Sequence, residues 1–201
     1  MASEWSLAGN VALLIVHMQN AVIKTPSPLE ILGHGKAAYE DGVVANIESL
    51  LEAFRSKGLP VIYCVAYTDP NTKFPVYGGF WPGVKESRAN YMGTWDVEII
   101  DELTPAPGEP VFYNWPFNIF ENTGLGDYLK EQGVDTVVLT GVATGMSVGT
   151  AAWAIAERFY NLIVVSDATT DANRELHKAV MDWALPAIGL VTSTDDVIAH
   201  L

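Results

Sequence analysis

Three polar residues stand just past short apolar runs, where acid–base and nucleophilic chemistry could be carried out. His17 follows Val11–Val16 (VALLIV), Asn114 follows Val111–Tyr113 (VFY), and Ser147 lies beyond Thr136–Thr140 (TVVLT). A serine hydroxyl does not ionise by itself near neutral pH, and imidazole is its usual proton acceptor. His17 and Ser147 therefore form a candidate acyl-transfer dyad, with Asn114 to orient the ring or to donate to an oxyanion. Plainer readings stand beside this one. His17 could bind a ligand or pack as a buried imidazole, Ser147 could cap a helix, and Asn114 could serve a turn.

The elements that must position these residues are legible in the pattern. Six runs, Val11–Val16, Pro60–Ala66, Val111–Tyr113, Thr136–Thr140, Leu162–Ser166 and Gly189–Thr192, are rich in Val, Ile and Leu with little alternation. That is the mark of strands buried on both faces of a parallel sheet. Helical spacing runs over Val43–Lys57, over Leu125–Leu129 up to Gly133, over Ser147–Phe159 and over Ala172–Leu185. Strand–helix alternation predicts one α/β domain over 1–201, a three-layer α/β/α fold on a mainly parallel six-stranded sheet. Such sheets bind ligands beyond the carboxyl ends of their strands, where the strand order reverses. If the first and fourth strands flank that reversal, His17 and Ser147 face one crevice, with Ser147 near a helix N-terminus that favours negative charge. Two stretches, 24–39 and 69–92, are rich in Pro, Gly and aromatics and too long for connectors, which predicts ordered lids. Tyr67, Phe80, Trp81, Trp95, Trp115, Phe117 and Phe120 lie on or near these loops. Trp115 and Phe117, next to Asn114, are the leading pocket candidates, and an aromatic, uncharged site suits a flat or apolar molecule.

Composition narrows the partners. Eleven Lys and Arg against twenty-four Asp and Glu give a net charge of −13, which argues against nucleic acid or an anionic membrane surface. The single cysteine, Cys64, excludes an intrachain disulfide and reads as a core residue. No basic segment opens the chain, and its apolar runs are about half the roughly 20 residues a membrane helix needs. A cytoplasmic protein acting on a small molecule is expected. The remaining histidines have milder expectations: His34 a surface-loop residue, with a lid contact as the alternative, His177 structural, His200 solvated.

The chain resembles the isochorismatase-like superfamily of cysteine hydrolases, which includes nicotinamidases. The resemblance runs through VALLIVHMQN at 11–20, VFYNWPFNIFENTGL at 111–125, TVVLTGVATGMSVGTAA at 136–152 and VVSDATTD at 164–171. It keeps Gln19, Phe120, Thr123, Gly141, Val142, Thr144 and Val148 of the family pattern. The positions of the family's Asp-Lys-Cys triad, however, carry His17, Asn114 and Ser147. The resemblance implies an oxyanion site of backbone N–H groups around Val142, Ala143 and Thr144, often with a non-proline cis peptide. Gln19, Phe120, Ala143 and Thr144 of that pattern, together with the loop aromatics Tyr67, Trp81, Trp115 and Phe117, are the expected substrate-binding positions, and the resemblance implies a homo-oligomer, dimer or tetramer. Where some relatives hold zinc through Asp-x-His, this chain reads Asp69-Pro70-Asn71, so neither metal nor cofactor is expected.

Three functions follow. One is a cofactor-independent hydrolase of a small, largely apolar amide, lactam or ester, losing activity as His17 protonates near its ordinary pKa of about 6.5. Another is non-covalent acid–base catalysis by His17, in vinyl-ether hydrolysis, elimination or isomerisation. The third is a pseudoenzyme that binds without turnover.

Overall fold

The computed structural model describes residues 5–73, 77, 80–115 and 117–201, the side chain of Trp81 excepted. The chain opens with β1 (Asn10–Val16), a single turn α1 (Asn20–Ile23), α2 (His34–Glu40) and α3 (Val43–Ser56). It continues through β2 (Val61–Ala66), α4 (Phe80–Ser87), β3 (Val111–Asn114), α5 (Leu125–Glu131) and β4 (Val134–Val142). A π turn over Thr144–Val148 leads into α6 (Gly149–Ala156), followed by β5 (Asn161–Thr170), α7 (Arg174–Ala179), β6 (Leu190–Thr192) and α8 (Thr194–His200).

The six strands form one sheet in the order β3-β2-β1-β4-β5-β6, and every pairing is parallel. The strand order reverses between β1 and β4, so the crevice opens beyond the ends of those two strands. β1 shows why its run is apolar without alternation. Leu13 and Ile15 pack with Ile47, Leu51 and Phe54 of α3 on one face. Leu14 and Val16 pack with Leu125 of α5 and Ala152 and Ile155 of α6 on the other. A strand covered on both sides has no face left for polar residues.

Gly141 sets how closely the two central strands meet beside the crevice. Its φ is +111°, and a Cβ there would lie 2.1 Å from the Val16 carbonyl oxygen. Only glycine accepts both the dihedral and the approach.

The predicted lids carry more structure than expected. The 24–39 stretch contains a 3₁₀ turn and most of α2, and α4 lies within 69–92. The helix expected over 172–185 is α7 continued by a π turn (Val180–Ala184) and a 3₁₀ turn (Leu185–Ala187). No helix among the described residues is long and apolar enough to cross a membrane.

Candidate active site

His17 is the first residue past β1. Its φ is +55°, a left-handed conformation that side-chain-bearing residues adopt at a cost of about 1–2 kcal/mol. Its backbone N–H donates to the Cys64 carbonyl at 2.8 Å, so the turn is held against β2. The imidazole reaches over the end of β2, where Ala66 pairs with Asn114 of β3, and its Nε2 lies 3.0 Å from Asn114 Oδ1. With the amide oxygen as acceptor, the neutral ring carries its proton on Nε2 and leaves Nδ1 with a lone pair. Nδ1 takes no partner among the described residues and is not sealed from the cavity. Burial pushes the His17 pKa down to about 4, with the Asn114 hydrogen bond opposing the shift. The ring is therefore neutral at pH 7, and desolvation of the imidazolium places its titration below the ordinary value of about 6.5 on which the expected acid limb was based.

Asn114 is fully buried behind the ring, and its Nδ2 has no hydrogen-bond partner among the described residues. A sealed, unpaired donor costs about 1–3 kcal/mol. Asn114 thus fixes the tautomer and plane of His17 without lining the cavity itself.

Ser147 lies inside the π turn rather than at a helix cap, which corrects the capping expectation. Among the described residues its hydroxyl takes no hydrogen bond. The turn is anchored twice. Asp171 accepts the Gly145 N–H at 2.9 Å through Oδ2, and Thr144 Oγ1 lies 2.9 Å from His177 Nδ1. The bond preceding Ala143 is a cis peptide, and no described group accepts the Ala143 or Thr144 N–H.

His17, Ser147, Ala143, Trp115 and Phe117 line one cavity of about 60 Å³. That is room for roughly four or five water-sized groups. Phe80 and Phe117 meet there with ring centroids 5.3 Å apart. The other expected contact residues lie elsewhere. Gln19 is fully buried, and its amide is consumed by Ala66, Asn90 and Asp96, bracing the end of β2 against the loop beyond α4. Phe120 packs on the α5–α6 side beneath the Arg158 guanidinium, 4.2 Å from its centroid. Thr144 is buried in the anchor to His177, and Tyr67 does not line the cavity. The Trp81 side chain lies outside the described residues.

Two polar lining residues were not among the candidate site residues read from the sequence. Asn90 holds Gln19 Nε2 at 2.9 Å and faces the cavity. His34, expected on the surface, is 11% exposed and lines the cavity too. The signal available was its pair of flanking glycines: a Cβ at Gly35 would lie 2.1 Å from the Ile23 carbonyl oxygen, so α2 is pressed onto α1. No Lys, Arg, Asp or Glu is among the described lining residues. No cluster of three or more His, Cys, Asp or Glu among the described residues could hold a metal ion.

A parallel α/β sheet whose order reverses between β1 and β4 places His17 and Ser147 at the crevice where such folds bind ligands. Residues 11–196 match the isochorismatase domain, and the chain belongs to that family of hydrolases. It is 32% identical to ureidoacrylate amidohydrolase RutB of Methylobacterium radiotolerans, over 84% of this chain and 70% of that one. It is 27% identical to phenazine biosynthesis protein PhzD of Pseudomonas fluorescens, over 98% and 89%. N-carbamoylsarcosine amidase of Thermoplasma acidophilum superposes with a TM-score of 0.74 at 26% identity, over 93% and 98%.

Proposed function

We propose that this chain hydrolyses a small, uncharged, largely apolar amide, lactam or ester, with His17 as base, Ser147 as nucleophile and Asn114 as the orienting group. The observation that carries the reading is the buried His17–Asn114 pair. It fixes one ring nitrogen at 3.0 Å and leaves the other open to the cavity that Ser147 also lines. Ser147 Oγ attacks the acyl carbon and its proton passes to His17 Nδ1. The tetrahedral oxyanion is met by N–H groups of the Ala143–Thr144 turn. Desolvation makes His17 a weak base, but a developing oxyanion beside it stabilises the imidazolium. Collapse returns the proton to the leaving nitrogen or oxygen, and water repeats the sequence on the acyl-serine. The hydrolases named among the relatives support the reaction class, and the uncharged cavity supports a neutral substrate.

A second reading has an observation of its own: Ser147 Oγ donates no hydrogen bond to His17. In it, His17 activates water or moves a substrate proton without a covalent step. Turnover of a panel of small amides, lactams and p-nitrophenyl esters by wild type, His17→Ala and Ser147→Ala separates the two. Both substitutions should lower kcat/KM by at least about a hundredfold, with an acyl adduct on Ser147 seen by mass spectrometry. Near-full activity of Ser147→Ala with loss in His17→Ala selects the second reading. Binding without His17-dependent product abandons both in favour of a pseudoenzyme.

The chain acts, in this reading, as a homo-oligomer, a dimer or tetramer. Exposed aromatics on the α6 side of the sheet, Trp153, Phe159 and Trp183, support it.

A further inference from the structure

A second imidazole faces the cavity, and neither reading of the reaction employs it. His34 begins α2 directly after Gly33, whose φ is +74°. The press of Gly35 against Ile23 seats that end of α2 directly on α1. The His34 Nδ1 takes the Ala172 N–H at 3.4 Å and lies 3.9 Å from Asp171 Oδ1. Asp171 is already engaged by the N–H groups of Gly145 and Asn173. Asp171 therefore holds the Ser147 turn, and the N–H of the next residue, Ala172, holds His34. Because Nδ1 accepts a backbone N–H, the neutral ring carries its proton on Nε2. Burial outweighs the nearby Asp171 charge and keeps the ring below its ordinary pKa, so the neutral form prevails at pH 7. Among the described residues Nε2 has no hydrogen-bond partner, and it is not sealed. The same cavity is lined by Val22, Leu29 and Leu32. A donor on a mostly apolar wall discriminates, since a ligand lacking the matching acceptor leaves it unpaired.

We propose that His34 is a specificity-determining residue whose Nε2–H binds a neutral oxygen acceptor, a carbonyl or ether, on the substrate away from the bond that is broken. This deepens the hydrolase reading by assigning the substrate class: a small acyl compound carrying a second, uncharged oxygen. The test uses binding alone, so failure of the hydrolase reading leaves it intact. The probes are pentanamide and 4-oxopentanamide, titrated by calorimetry and by ¹H–¹⁵N spectra of the histidine rings. Wild type should bind the oxo compound about five- to tenfold more tightly, with the largest ring-nitrogen shift at His34. His34→Leu should erase the preference. His34→Gln, which restores an N–H donor at similar reach, should recover part of it. A preference that persists in His34→Leu, or a wild type that binds the two equally or binds neither, overturns the proposal. If His34→Leu does not fold, the ring-nitrogen shift in wild type and the His34→Gln titration decide alone.

Discussion

At the residue scale the candidate site turns on how one imidazole is kept neutral. Burial holds His17 at about 4, below its unfolded value of about 6.5. A folded-state pKa lowered in this way means the unfolded chain takes up the proton first. The stability is complete above pH 6.5 and is lost as pH falls from 6.5 to 4, at about 1.4 kcal/mol per pH unit and roughly 3 kcal/mol in all. Asn114 can hold the Nε2 proton but cannot offset a charge. Asn114→Asp supplies that charge: the His17 pKa should rise above 6.5, measured by NMR titration of the ring. The sign of the linkage then inverts, with His17 contributing stability at low pH that is lost as pH rises through the new pKa. The acid limb of activity should move up with it. A ring that still titrates near 4 in Asn114→Asp would mean that the two side chains are not coupled as the 3.0 Å contact requires.

At the scale of elements, the sheet and its switch point were legible because parallel strands buried on both faces have an unambiguous composition. The ends of β1, β3 and β4 followed, and with them His17, Asn114 and Ser147. The lid was less legible. α1 has four residues and α2 has seven, too short for periodicity to register, and His34 was hidden with them. Gln19, Thr144 and Phe120 were read as contact residues because a family pattern marks positions without distinguishing a brace from a ligand. What separates them is where each hydrogen bond ends, which only the folded chain reveals. The join of β1 and β4 carries a prediction. Gly141→Ala places a Cβ against the Val16 carbonyl oxygen, and backbone cannot yield as a flexible side chain would. Forcing the strands apart should cost about 3 kcal/mol or more, read as a fall in the urea midpoint. An unchanged midpoint would show that the two strands separate freely at this level.

On the scale of the whole molecule, charge and apolar exposure pull in opposite directions. Each copy carries −13, so two copies repel at low ionic strength, while Trp183 at 81% and Phe159 at 96% exposure leave apolar surface on the α6 side of the sheet. Screening falls to about 8 Å at physiological salt, which removes most of the repulsion but leaves the apolar term untouched. Self-association should therefore strengthen as salt rises from about 10 mM to 150 mM, the reverse of an interface held by ion pairs. Sedimentation velocity measures this directly. Trp183→Glu adds a charge where an aromatic would be covered, and it should shift the chain toward monomer at both salt concentrations. Because Trp183 lies in the π turn beyond α7 and does not line the cavity, the His17 titration should be unchanged in that variant. A wild type that is monomeric at both salt concentrations would assign the exposed aromatics some role other than contact between copies.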